Sequence, residues 1–134
     1  MGGHTDAFRR SLTLCLKFET LLCVREVRFI GSSLDDLRAL PKAVRQDMGR
    51  QIDRVQRGLE PKDWKAMPNI GRGVREIRIR DEGNAYRTLF VANIDDAVHV
   101  LHVFTKKSRK TRQSDIDTAR SRLRSLQLQL RRRG

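Results

Sequence analysis

The sequence is poor in cysteine, proline and aromatic side chains. Its 134 residues include two cysteines, three prolines, one tryptophan, one tyrosine and five phenylalanines. Cys15 and Cys23 are too few for a disulfide-built domain, and they lack the neighbouring Cys or His side chains that a zinc site needs. We therefore expect a domain held by an ordinary hydrophobic core in a reducing cytoplasm, with no metal and no cofactor.

Long apolar runs are also missing. No uninterrupted apolar stretch approaches the roughly 18 residues that a membrane-spanning helix needs, so no membrane association is expected. The segment SLTLCLKF after Arg9 and Arg10 is weakly similar to a signal sequence, but Lys17 and Glu19 interrupt it and no small-residue cleavage site follows. A chain of this length predicts one compact domain, and we expect it in the cytoplasm.

Acidic residues are scarce relative to basic ones. The chain has 16 Asp and Glu against 29 Lys and Arg, giving a net charge of +13, and a pI near 11.1. From Lys106 to the end there are eleven basic residues and two acidic ones. Such clustering favours a polyanionic partner, nucleic acid above all, over the alternative that the charge only aids solubility.

The first half of the chain predicts one strand and two helices. VREVRFI, from Val24 to Ile30, alternates apolar and charged residues as a strand does. Apolar residues then recur at helical spacing from Leu34 to Leu59, with Ser33 as the predicted N-cap and a division at Pro41. The segment PKDWKAMPNIGRG that follows is predicted to be a loop, in which Trp64 and Met67 cover the core edge rather than stack on a base.

The second half predicts an antiparallel meander and a last helix. The strands are GVREIRIRD, AYRTLFVAN and AVHVLHVFT, and Ser114 is the predicted cap of the helix after them. Alternation places Ile77 and Ile79 on one face of the first of these strands and three charged residues on the other: Glu76, Arg78 and Arg80. Arg87 begins the next strand and Lys106 and Lys107 end the last, so one concavity with cations from three strands is expected.

These segments together resemble the RelE/ParE toxin superfamily, and most closely its phage-derived HigB-like branch. The resemblance rests on VRFIGSSLDDLRALPKAVRQDMGRQIDRVQRGLEPKDWKAMP followed by GVREIRIRD, AYRTLFVA and VLHVFTKKSRKT, and covers roughly residues 24 to 126. It implies an α+β domain of the RelE type, with a twisted, mostly antiparallel sheet of about four strands, two N-terminal helices and a C-terminal helix. We accordingly divide the chain into an N-terminal extension at 1–23, a toxin domain at 24–130 and a basic tail at 131–134.

The resemblance also implies a function. Such proteins are toxins of type II toxin-antitoxin systems, endoribonucleases that cut messenger RNA on the ribosome and so inhibit translation. The expected partners are the ribosome, messenger RNA and a helix-turn-helix, HigA-like antitoxin that silences the toxin in a hetero-oligomer. Cleavage would use the 2′-OH of the RNA itself as nucleophile and require no metal.

The resemblance also assigns the family's catalytic residues to particular positions of this sequence. The implied catalytic residues are Arg78, Arg80, Arg87, Lys106, Lys107, Glu76 and His102. Of these, Glu76 is either a base or a structural ion-pair partner, and His102 is either catalytic or an ordinary sheet histidine. Further RNA binding is assigned to Arg75, Arg109, Lys110 and Arg112.

Two features leave a second function open. Some RelE-type enzymes have a lysine where Glu76 falls, and a tyrosine after the basic pair where this chain has Ile116 or Asp117. The superfamily also includes toxins that inhibit DNA gyrase without cutting RNA. The alternative is therefore a non-catalytic nucleic-acid-binding or partner-binding member of the same fold, including a ParE-like gyrase inhibitor.

Overall fold

The computed structural model describes residues 24–106 and 110–133 as an α+β domain with five strands and three helices. The predicted N-terminal extension at 1–23 lies outside the described residues. The elements in chain order are β1 (Glu26–Phe29), α1 (Ser33–Arg38), α2 (Lys42–Gln56), β2 (Trp64–Ala66), β3 (Val74–Asp81), β4 (Asn84–Ile94), β5 (Ala97–Lys106) and α3 (Gln113–Arg133).

The five strands form one sheet in the order β1-β5-β4-β3-β2. Strands β2 to β5 are antiparallel neighbours, whereas β1 pairs parallel to β5 at the other edge. The prediction of about four strands was too low, because β2 lies in the segment predicted to be a loop. Its three residues are too few to show an alternating pattern, and pairing with β3 is what makes them a strand.

Helices cover both faces of the sheet. On one face, α1 and α2 pack against the sheet through a core that includes Val44, Met48, Ile77, Phe90 and Val100. On the other face, α3 packs through a second core that includes Leu89, Leu101, Phe104, Ala119 and Leu123. Strand residues on one face of the sheet therefore point toward α1 and α2, and those on the other face point toward α3.

The helix starts differ from the predicted caps. Ser32 occupies the N-cap position of α1, and Ser33 is fully buried with its hydroxyl donating to the carbonyl of Val100 at 3.2 Å. Because β5 satisfies that hydroxyl, Ser33 joins the helix to the sheet instead of capping it. Ser114 also lies inside its helix, which begins at Gln113.

Two tight turns join the antiparallel strands. Glu82 and Gly83, between β3 and β4, both have positive φ, as do Asp95 and Asp96 between β4 and β5. Two central residues with positive φ are typical of hairpin turns that match the strand twist. The second turn has no glycine, and its aspartates are held by ion pairs, Asp95 with Arg28 at 2.8 Å and Asp96 with Arg25 at 3.6 Å.

Two further sequence predictions concern the core edge and the membrane. Met67 is buried, as predicted, and Trp64 is half-buried beneath the guanidinium of Arg75. No helix within the described part of the chain has the length and apolar composition to cross a bilayer.

Candidate functional site

The predicted charged side chains of β3 do lie on one face of the sheet, the face that α3 partly covers. Arg78 pairs directly with Arg87 of β4, and Arg80 pairs with Ala85, which in turn pairs with Lys106 of β5. Directly opposed residues of antiparallel strands point to the same side. Three strands therefore bring Arg78, Arg87 and Lys106 to one surface, and we call these three residues the cationic cluster.

A buried ion pair lies within the cluster. Arg87 Nη1 donates to Glu76 Oε1 at 3.1 Å, and the side chains are 6% and 0% exposed. Glu76 Oε2 and Arg87 Nε are buried without a hydrogen-bond partner. Of the two alternatives for Glu76, the geometry supports the structural ion-pair partner, because a fully buried carboxylate that neutralises an arginine holds that arginine in place.

Lys106 lies at the end of β5 and is only 6% exposed. Burial lowers the pKa of its ammonium group, and the nearby charges of Arg87, Lys65 and Arg78 lower this pKa further, whereas Glu76 acts in the opposite sense. A lysine with a lowered pKa gives up its proton more readily than an exposed one. Lys106 is thus the described residue of the cluster that is best suited to proton transfer.

Arg78 is the accessible member of the cluster. Its Nε and Nη2 donate to Asp63 Oδ1 at 3.0 and 2.8 Å, and its side chain is 30% exposed. Arginine has five N–H donors, so one carboxylate oxygen leaves donors free for a ligand. Asp63 also reduces the repulsion between the opposed Arg78 and Arg87.

Two contributors to the cluster have no signature in the sequence, because they lie in or beside β2, in the segment that was predicted to be a loop. Asp63 precedes β2 and binds Arg78, while Lys65 of β2 pairs with Glu76 and so points to the same face as the cluster. No motif identifies them. Only the register of β2 on β3 places them there.

His102 lies one row further along the same face, with Leu89 and Glu76. Its Nε2 is 2.7 Å from Asp115 Oδ1 in the first turn of α3, and its ring stacks on Phe104 at a centroid distance of 5.0 Å. Its Nδ1 is buried without a partner. These contacts join β5 to α3, which supports the sheet-histidine alternative over a catalytic one.

The remaining predicted residues lie in several places. Arg75 is on the opposite face of β3, with its guanidinium carbon 4.5 Å from the centre of the Trp64 ring, so it does not join the cluster. Arg80 shares the cluster's strand face by register and lines a shallow depression of about 280 Å³ beside α2. Lys110 and Arg112 are exposed before α3. Lys107 and Arg109 lie outside the described residues.

The metal-ligating side chains are scattered. Within residues 24–106 and 110–133, no three His, Cys, Asp or Glu side chains come together in a group that would hold a metal ion. The side chains that the described cluster brings together are two arginines, one lysine and the buried carboxylate of Glu76.

Comparison with known families agrees with this architecture. The model of the phage-derived Gp49-like proteins (DUF891) matches residues 35–124, two thirds of the chain, from within α1 to within α3. The chain belongs to this Gp49-like family. Its members are toxin-like proteins related to RelE and HigB, and the family is associated with toxin-antitoxin systems. No curated protein matches the sequence.

The match contains the whole of the described cluster. It spans β2 to β5, and with them Glu76, Arg78, Arg87 and Lys106. Of the resemblance expected from the sequence, the relation to RelE- and HigB-type toxins is confirmed at the level of the family.

Proposed function

We propose that this protein is a HigB-like toxin of a type II toxin-antitoxin system that cuts messenger RNA on the ribosome. The observation that carries the proposal is the convergence of Arg78, Arg87 and Lys106, from three strands, on one sheet face. Family membership supports the toxin part of the proposal. The cleavage part follows from what this set of side chains can do to a phosphodiester.

The reaction is an internal displacement at phosphorus. The 2′-OH oxygen attacks the adjacent phosphorus and gives its proton to water, the bond from phosphorus to the 5′ oxygen breaks, and that oxygen receives a proton from the protein. The products are a 2′,3′-cyclic phosphate and a 5′-OH end. The protein must therefore offset the extra negative charge on the phosphoryl oxygens and supply the proton to the leaving group.

The differing exposures of the cluster residues suggest a division of roles. Arg78, which is partly exposed, first contacts the phosphate with the donors that Asp63 leaves free. Arg87 and Lys106 form the floor, where a charge acts more strongly because little water screens it. Lys106 protonates the 5′ oxygen, since burial makes its proton easier to transfer. Glu76 acts as a positioning residue that fixes Arg87.

The partners belong to the same proposal. A helix-turn-helix, HigA-like antitoxin binds the toxin in a hetero-oligomer in the resting cell, and cutting takes place on ribosomes in the cytoplasm. The net charge of +13 suits both an RNA-rich particle and an acidic antitoxin segment.

The test is induced expression followed by mapping of messenger-RNA 5′ ends. Wild type should arrest growth and produce new cuts within codons, and Arg78→Ala or Lys106→Met should reduce the cuts by about 100-fold or more. The matched control is Arg75→Ala, which removes an arginine from the same strand but from the opposite face.

The Arg75→Ala control distinguishes the loss of a cluster residue from the loss of any positive charge on β3. Arg75→Ala should cut as wild type does. If the two cluster variants cut like Arg75→Ala while all three proteins fold, the cluster is not the nuclease site.

One observation favours the second candidate, a non-catalytic toxin that binds nucleic acid or a protein such as DNA gyrase. Both arginines of the cluster already have carboxylate partners, Glu76 for Arg87 and Asp63 for Arg78. Paired arginines of this kind also occur in purely structural networks. Growth arrest without new messenger-RNA ends, together with inhibited supercoiling by purified gyrase, would establish this candidate instead.

A further inference from the structure

The arginines on two sides of helix α3 have different environments. On one flank, Arg122 is used inside the protein: it donates to the Leu101 carbonyl at 2.8 Å and to Ser32 Oγ at 3.0 Å. On the other flank, Arg120 donates to the carbonyl of Asn69 at 3.0 Å but stays exposed, and Arg124 and Arg131 are exposed as well. We call Arg120, Arg124 and Arg131 the α3 flank.

The α3 flank is a straight row. At about 3.6 residues per turn, the three arginines lie within about 40° of arc, and at about 1.5 Å per residue they extend over roughly 16 Å. The loop at residues 67–73 lies beside the row, since Asn69 binds Arg120 and Gly71 is in close contact with Leu123. Arg72 in that loop is also exposed and adds positive charge.

The charge of the α3 flank is only partly balanced within the helix. Residues 118–133 contain six arginines and no acidic residue, and Asp117, one turn before Arg120, accepts a hydrogen bond from Gln113. Arg120 and Arg124 are four residues apart, a spacing at which like charges destabilise a helix. Cations in the last turn are favoured by the helix dipole, but Arg120 and Arg124 lie well before it. An external anion would relieve this repulsion.

The α3 flank lacks the features of a protein-binding or membrane-binding helix. The apolar stripe of α3, including Ile116, Leu123 and Leu126, is buried against the sheet. Leu128 is the one large apolar residue of α3 that is substantially exposed among its described side chains. A protein interface needs a buried apolar centre and a membrane-surface helix needs a free apolar face, whereas a phosphate backbone needs only a row of cations.

We infer that the α3 flank is a second RNA-binding surface, which holds the backbone of single-stranded RNA through its phosphates. The choice of RNA over other polyanions rests on the proposed function. The binding itself needs no cleavage, because the three arginines lie on the helix and not in the cationic cluster. The flank would anchor the RNA on the same face of the sheet that carries the cluster.

The experiment measures binding to a fluorescent 20-nucleotide RNA with 2′-O-methyl groups, which cannot supply the attacking hydroxyl. Anisotropy titrations at several salt concentrations compare the full-length wild type with the triple variant Arg120→Gln, Arg124→Gln, Arg131→Gln. Loss of three phosphate contacts should reduce the slope of log K against log salt by about 2. At about 0.1 M salt this corresponds to roughly 100-fold weaker binding.

The matched control removes three exposed cations from the helix layer on the other face: Arg38→Gln, Lys42→Gln and Arg50→Gln. This control lowers the net charge by the same amount but leaves α3 unchanged. The salt slope should therefore stay within about 1 of the wild-type value. An unchanged slope in the flank variant, or equal losses in both variants, would overturn the inference.

The two proposals fail in different ways. If wild type binds the methylated RNA through the flank but makes no cuts in cells, the nuclease proposal fails and the RNA surface remains. If wild type cuts messenger RNA but the flank variant binds as tightly as wild type, the inference about α3 fails alone.

Discussion

The pairing of Glu76 with Arg87 is the residue contact on which the cluster depends most. The side chains are 0% and 6% exposed, so either one left alone would be a buried, uncompensated charge. Such a charge is far more costly than the loss of a surface ion pair. The environment of the pair is also asymmetric, because the charges of Arg87, Lys65 and Arg78 all act on Lys106 while Glu76 is the one acidic group among the described residues that acts on it.

This asymmetry predicts an order of stabilities in urea denaturation. Glu76→Gln should cost about 3–5 kcal/mol, since it leaves Arg87 and Lys106 together without a counter-charge. Arg87→Met should cost less, because Lys106 remains to face Glu76. The double variant Glu76→Leu, Arg87→Met should be more stable than Glu76→Gln alone. A cost below 1 kcal/mol for Glu76→Gln would contradict the ion pair.

Lys106 predicts a pH dependence of stability. Its pKa is lowered in the folded protein, chiefly by burial, so the folded state releases this proton at lower pH than the unfolded state does. Between the lowered pKa and about 10.4, the unfolded state binds more protons, and stability contributed by this group rises with pH. The free energy of unfolding of wild type should therefore rise relative to that of Lys106→Met across this window.

The comparison with Lys106→Met removes the effects of other groups that titrate in alkali. Lys106→Arg should not show the rise, because arginine stays protonated there. Parallel curves for wild type and Lys106→Met would mean that the pKa of Lys106 is not lowered.

At the scale of the elements, alternation was enough to predict which residues of β3 share a face. Burial of Ile77 and Ile79 and the common side of Glu76, Arg78 and Arg80 agree with that prediction. The registers of neighbouring strands could not be predicted in the same way, because they depend on turn geometry and on contacts distant in sequence. For that reason the Glu76 partner, the contribution of Lys65 and the strand β2 were not found from the sequence.

The helices show the same division between local and distant determinants. The apolar spacing predicted α1, α2 and α3 and the break at Pro41, which is the N-cap position of α2. It did not predict the caps, since Ser33 is engaged by Val100 of β5 and not by its own helix. The parallel pairing of β1 with β5 likewise has no local signature.

The position of α3 predicts a difference between two arginines that look alike in the sequence. Arg122 joins α3 to β5 and to the residue before α1, so Arg122→Ala should lower the free energy of unfolding by about 1.5–3 kcal/mol. Arg124→Ala, two residues on and exposed, should change it by less than about 0.5 kcal/mol. Equal changes in the free energy of unfolding of the two variants, measured by chemical denaturation, would mean that Arg122 does not stabilise the packing of α3.

For the molecule as a whole, the net charge of +13 is a source of self-repulsion. Adding salt screens that repulsion, so the melting temperature should rise by a few degrees between about 0.01 and 0.15 M sodium chloride. The flank variant, with three fewer cations, should show a smaller rise. A melting temperature that falls with salt in wild type would mean that attractive ion pairs, such as Arg28 with Asp95, outweigh the repulsion.

The order of strands in the sheet determines when the site can exist. β5 lies between β1 and β4, and Glu26 of β1 pairs with Ala97, 71 residues later in the chain. During synthesis β1 therefore has no strand to pair with until β5 has been made. Lys106 is the last residue of β5. A polypeptide interrupted before that point lacks the strand that joins β1 to β4 and one residue of the cationic cluster, so under the proposed function an incomplete product of translation would be inactive.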